Sequence, residues 1–108
     1  MKINIKKKPR KFNVGLSNNT ISDCGKIFLA NNELITFIKN KKKYDFVSKD
    51  WGYYATPSIN KRLKKEGYKV AVVSNLTGKK FIMVVDKERI KIFKKYLNQE
   101  KSKIIKWL

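Results

Sequence analysis

Strand-like apolar runs dominate the first half of the chain. Two of them, residues 26–29 and 33–38, flank Ala30-Asn31-Asn32. Asparagine accepts left-handed turn geometry, so we predict that these two runs pair as a β-hairpin. Extended structure is predicted to resume at residues 44–47, after the polar connection that begins at Asn40.

The next segment carries the signals of a helix with defined ends. Thr56 suits the cap of a helix and Pro57 suits its first position, while Gly67 suits the left-handed residue just past the end. A helix is therefore predicted from Pro57 to Glu66. Its two apolar residues, Ile59 and Leu63, are spaced i and i+4 and share one face.

The remaining residues predict a hairpin, a second helix and a last strand. Apolar runs at residues 68–73 and 80–85 should pair antiparallel, and their nearly continuous apolar character favours a central place in a sheet. Asp86 can cap a helix from Lys87 to Gln99, and residues 103–108 read as a short strand. The residues expected to form the core are Val70, Val72, Ile82, Val84, Ile90, Phe93 and Leu97.

These elements predict an α+β protein: an antiparallel sheet with two helices. From about residue 44 their order is β-α-β-β-α-β, the order of a ferredoxin-like fold, preceded by an N-terminal β-hairpin. The alternative is a small β-barrel with appended helices. With 108 residues, the chain fits one domain at residues 12–108 after a basic arm or edge strand at residues 1–11.

Charge adds the strongest functional signal. The chain has 27 Lys and Arg residues against 8 Asp and Glu residues, a formal net charge of +19. Codon bias in an AT-rich genome accounts for lysine in place of arginine, but it does not account for the shortage of acids. The imbalance therefore favours a polyanionic partner.

Other chemistry is poorly supported. There is no histidine, and Cys24 is the single cysteine, so histidine-based catalysis and cysteine-histidine metal sites are not expected. A nuclease that relies on carboxylates remains a weak alternative, because the acidic residues do not follow the spacing of a metal site. No catalytic residue, cofactor or metal is predicted.

The sequence also bears on location. No window approaches the roughly 20 apolar residues that a membrane-spanning helix needs. The basic stretch at residues 2–11 is not followed by the apolar region of a secretory signal. We therefore expect a cytoplasmic protein without a transmembrane segment.

Cationic and aromatic residues make up the predicted binding site. Trp51, Tyr53 and Tyr54 offer rings for stacking on bases, while lysines neutralise phosphates. The same rings also fit core packing, in which at least one of the three is buried. The predicted cations of the two helices are Lys61, Arg62, Lys64, Lys65, Lys91, Lys94 and Lys95.

The composition favours a small basic protein that binds DNA or RNA with low sequence specificity. Arginine supplies most bidentate contacts to bases, and the chain has three arginines only, Arg10, Arg62 and Arg89. The alternative is a basic adaptor that docks an acidic protein, an anionic glycan or an anionic membrane surface.

Overall fold

The computed structural model describes residues 1–108, which divide into two compact units. The first unit comprises Met1–Val14 and Asn18–Thr56, and the second comprises Gly15–Ser17 and Pro57–Leu108. Antiparallel strands dominate both units, and the second also contains two short helices. The α+β class is confirmed.

A long two-stranded ribbon begins the first unit. Strand β1 (Lys2–Val14) pairs antiparallel with β2 (Asn19–Phe28). The register shifts between Ile5 and Arg10, where the ladder is irregular. The basic residues near the start of the chain therefore lie in a strand, while the division into residues 1–11 and 12–108 stays a prediction.

The other strands of the first unit are β3 (Leu34–Lys39), β4 (Lys42–Lys49) and β5 (Gly52–Ala55). They form a three-stranded sheet in the order β3-β4-β5. A two-residue turn joins β3 to β4, and both of its residues, Asn40 and Lys41, have left-handed φ values of 50° and 66°. Such a turn matches the natural twist of an antiparallel pair.

The hairpin predicted from residues 26–29 and 33–38 is wrong. Strand β2 pairs with β1, and β3 pairs with β4. Asn32 does adopt a left-handed φ of 64°, but its N–H donates to Ser48 O, so the turn leads the chain toward β4. A turn signal shows where the chain bends and does not identify the strand that it will pair with.

The elements of the second unit are α1 (Arg62–Lys65), β6 (Tyr68–Ser74), β7 (Lys80–Asp86), α2 (Ile90–Gln99) and β8 (Lys103–Trp107). Its strands form an antiparallel sheet in the order β7-β6-β8. The predicted hairpin of residues 68–73 and 80–85 is confirmed, and so is the last strand. Of the two hairpin strands, β6 is central as predicted, whereas β7 lies at the edge of the sheet.

Helix α1 is shorter than predicted. The helical residues begin at Arg62, and the N-cap residue Lys61 makes no side-chain capping hydrogen bond, so the cap predicted at Thr56 is wrong. The carbonyl of Ser58 accepts from Leu63 N at 2.9 Å and its hydroxyl accepts from Arg62 N at 3.2 Å. At the other end, Gly67 has the expected left-handed φ of 90°.

The predicted cap of the second helix is confirmed. Asp86 accepts a hydrogen bond from Glu88 N at 2.9 Å. Residues Lys87–Arg89 form a 3-10 turn that leads directly into α2. A carboxylate at this position also interacts favourably with the positive end of the helix dipole.

Leu97 is buried in the core of the second unit as predicted, but the cluster around it uses the face of β6 and β7 opposite to the one predicted. Ala71, Val73 and Leu97 are buried together. The register pairs Ala71 with Met83, whereas Ile82, expected in the core, is 65% exposed. Of the other expected core residues, Val70 is buried and Val72, Val84 and Ile90 are partly buried. The partly buried residues packed against the core are Met83, Phe93, Ile104 and Trp107.

The ferredoxin-like order is not confirmed. Residue 44, where that order was expected to begin, lies in β4, and β4 belongs to the sheet of β3 and β5. The sheet of the second unit contains three strands. None of the three sheets closes on itself, so the barrel alternative is not observed.

The buried face of the second unit can be tested with two substitutions. We expect Leu97→Ala to destabilise the protein by about 2–5 kcal/mol, because it leaves a cavity beside Ala71 and Val73. Ile82→Ala should change the stability by less than about 1 kcal/mol, since Ile82 is largely exposed. Urea unfolding followed by circular dichroism measures both, and equal losses would contradict the observed face.

Candidate nucleic-acid interface

The predicted cations of the second unit are all exposed. Helix α1 buries Leu63, which leaves the neighbouring basic side chains in solvent. Helix α2 buries Leu97 and packs Phe93 against the core, so its lysines point outward. None of the six predicted lysines forms an ion pair with an acidic residue: Lys61, Lys64, Lys65, Lys91, Lys94 and Lys95.

A pocket of about 490 Å³ brings three lysines of the second unit together. Lys64 lies in α1, Lys69 in β6, and Lys87 in the turn before α2. Lys87 Nζ donates to Lys64 O at 3.1 Å, which ties the turn to the helix. No acidic side chain lines the pocket. The arrangement suits an anion such as a phosphate group.

Sequence reasoning missed Lys69 and Lys87 as members of this cluster. Lys69 is partly buried, and its Nζ lies 4.2 Å from the centroid of the Trp107 ring. This cation–π contact fixes the side chain beside the pocket. The three lysines come from separate elements, so no spacing along the chain identifies them.

The three predicted rings are exposed. Trp51 is 67% exposed, Tyr53 62% and Tyr54 45%. The expectation that core packing buries at least one of them is therefore wrong. Tyr53 and Tyr54 lie in β5, which is an edge strand of its sheet and has a neighbouring strand on one side only.

The structure separates these rings onto two faces of the sheet. Tyr53 and Tyr54 are adjacent on β5, and successive side chains of a strand point to opposite faces. Trp51 stacks on Tyr54, with ring centroids 5.9 Å apart and an interplanar angle of 17°. Tyr53 stacks instead on Phe46, at 5.8 Å and 29°.

Cross-strand pairing adds further rings to the Tyr53 face. The ring centroid of Phe46 lies 6.4 Å from the ring centroid of Phe37 and 6.4 Å from that of Tyr44. The register places Phe37 opposite Tyr44 on neighbouring strands. Partial burial raises the pKa of Tyr44 above its ordinary value. Sequence reasoning missed these three rings; the spacing of two residues between Tyr44 and Phe46 was the available signal.

Several acidic residues are engaged in the fold. In the first unit, Asp23 accepts a hydrogen bond from Lys6 Nζ at 2.8 Å, which lowers the pKa of its carboxyl. Asp45 accepts from Thr36 Oγ1 at 2.8 Å. Glu33 accepts from Ala30 N at 2.7 Å, and this bond lowers the pKa of Glu33. No group of three or more acidic or cysteine side chains is placed to hold a metal ion.

Glu100 is the buried carboxylate of the second unit. It is 8% exposed and follows α2 directly. Leu16 N donates to Oε1 at 2.9 Å, while Ser17 N donates to Oε2 at 2.8 Å and the Ser17 hydroxyl donates to the same oxygen. Gly15 allows this approach, because a Cβ there would lie 1.7 Å from Glu100 Oε1.

No family model, curated protein or solved structure matches this chain, so its own residues carry the functional interpretation. No helix of the structure has the length and apolar character needed to cross a membrane.

The Glu100 contacts predict a specific dependence of stability on pH. The Ser17 side-chain and backbone hydrogen bonds lower the pKa of Glu100 from its ordinary 4.5. Their stabilising effect is therefore complete above pH 4.5 and is lost as the pH falls through the lowered value. We expect Glu100→Gln to lower the Tm at neutral pH and to reduce the further loss in acid.

Thermal melts of the wild type and of Glu100→Gln at neutral and acidic pH measure the expected changes in Tm. Glu88→Gln is the matched control, because it removes an exposed carboxylate of the same unit. If both variants lower the neutral-pH Tm equally, the Glu100 hydrogen bonds are not a special source of stability.

Proposed function

We propose that the protein binds nucleic acid, mainly through contacts between lysines and phosphates. The observation that carries the proposal is the set of six exposed lysines on and beside α1 and α2, none of which pairs with an acid. Because no acidic side chain neutralises them, these lysines repel one another. A polyanion relieves that repulsion and releases its own condensed counterions on binding.

The cations favour backbone contacts over base readout. Lysine is a point charge, whereas bidentate recognition of guanine requires arginine in most cases. Of the three arginines, Arg10 is already engaged in the fold. Its Cζ lies 4.7 Å from the centroid of the Phe12 ring, and its Nε lies 3.7 Å from Asp23 Oδ2. The proposed binding is therefore weakly dependent on base sequence.

The pocket of Lys64, Lys69 and Lys87 is the best supported place for an individual phosphate. Its three ammonium groups come from rigid elements, and two of them are held by the contacts to Lys64 O and the Trp107 ring. Of the three rings predicted from the sequence, Tyr53 is proposed as a surface for an exposed base. Trp51 and Tyr54 stack on each other on the opposite face of the sheet.

The proposal predicts a salt dependence that charge variants alter. The logarithm of the binding constant should fall linearly with the logarithm of salt concentration, by about 0.9 per phosphate contact on duplex and about 0.7 on a single strand. Replacing Lys61, Lys64 and Lys65 together with Gln should flatten the slope by roughly two to three contacts. Fluorescence anisotropy with labelled oligonucleotides measures the slope.

A second triple variant distinguishes binding at α1 from a general effect of the net positive charge. Lys79, Lys80 and Lys106 are also exposed lysines of the second unit, and their replacement with Gln removes the same charge. We expect this variant to retain most of the slope. Equal flattening by the two triples would argue against a site at α1. Binding to heparin or an acidic protein that persists in salt where every nucleic acid dissociates would instead favour a basic adaptor.

A further inference from the structure

One face of the β3-β4-β5 sheet carries a continuous group of rings. We call it the aromatic face; it consists of Phe37 in β3, Tyr44 and Phe46 in β4, and Tyr53 in β5. Phe46 lies at its centre and contacts the other three rings at centroid distances of 5.8–6.4 Å. The rings thus span all three strands of the sheet.

The outer rings of the aromatic face are open to solvent. Phe37 is 51% exposed and Tyr53 62% exposed, although cross-strand pairing already stabilises the sheet. Exposed rings of this size are unfavourable in water, since each leaves apolar area unburied. The rings are tilted against one another by 29–54°, so a base would stack on an individual exposed ring and not on one continuous plane.

Lysines adjoin the aromatic face at one end. Lys39 and Lys42 pair across the strands two residues beyond Phe37 and Tyr44, so they project on the same face. Lys41 lies in the turn between them and is exposed. The acidic residue of β4, Asp45, points to the opposite face with its partner Thr36. The face therefore combines rings with positive charge and contains no acidic strand residue.

We infer that the aromatic face binds the bases of single-stranded nucleic acid, with the lysines at its end contacting phosphates. This inference rests on the proposed function and adds the class of ligand and the surface that receives it. Bases in a duplex are stacked on each other, so their faces cannot stack on protein rings, whereas the faces of unpaired bases can. Phe and Tyr rings accept any base, which agrees with the scarcity of arginine.

The opposite face of the same sheet supplies a matched control. Tyr54 is also exposed, and its ring stacks on Trp51, which lies outside the aromatic face. Tyr53→Leu and Tyr54→Leu change the same residue type at neighbouring positions of β5, on opposite faces. If the aromatic face binds bases, Tyr53→Leu should weaken single-strand binding and Tyr54→Leu should not.

The experiment measures anisotropy of labelled oligothymidylate, oligouridylate and a mixed-sequence duplex with wild type, Tyr53→Leu, Phe37→Leu and Tyr54→Leu. Thermal melts confirm that each variant is folded. We expect Tyr53→Leu and Phe37→Leu each to weaken single-strand binding roughly 5- to 100-fold, with an unchanged salt slope. Tyr54→Leu should change it less than about twofold, and duplex binding should be unaffected in all variants.

The possible failures are distinct. If none of the three nucleic acids binds at low salt, the proposed function fails. If single strands and duplex bind equally and Tyr53→Leu has no effect, the proposed function stands and the aromatic face is not the site. A larger loss from Tyr54→Leu than from Tyr53→Leu would place the bases on the opposite face and overturn the inference.

Discussion

Repulsion among 27 basic side chains, opposed by only 8 acidic ones, is the constraint that shapes this protein. The acids that hydrogen-bond within the fold stabilise particular turns and helix ends. Asp86 caps the turn before α2, Glu100 holds the segment at Leu16 and Ser17, and Asp23 contacts Lys6 across the first ribbon. The six lysines on and beside the two helices form no ion pair with an acidic residue, so their charge remains uncompensated.

This distribution of charge links folding to binding. Excess positive charge destabilises a compact chain, and an anionic ligand that binds the folded state stabilises it by mass action. Lys64, Lys69 and Lys87 illustrate the relation, because they line one pocket with no acidic side chain among them. Carboxylates that neutralised these lysines would make the fold more stable and would remove the proposed attraction for phosphate.

The sequence predicts local features of this fold better than its pairings. The cap at Asp86, the left-handed Gly67 and the hairpin of residues 68–85 follow from neighbouring residues, so they are predictable. The face of β6 and β7 that packs against Leu97 was predicted wrongly, because both strands are apolar at nearly every position and this hides the alternation. In the candidate site, Tyr53 was found by its neighbours in sequence, but Phe37 joins it only through strand register.

The central claim, that single-stranded nucleic acid binds on the aromatic face, is tested most directly by photochemical crosslinking. A short oligouridylate or oligothymidylate is irradiated with the full-length protein, and the crosslinked peptides are identified by mass spectrometry. We predict crosslinks at Phe37, Tyr44, Phe46 or Tyr53, because bases stacked on these rings are in direct contact with them. Crosslinks confined to Trp51 and Tyr54, on the other side of the sheet, would contradict the claim.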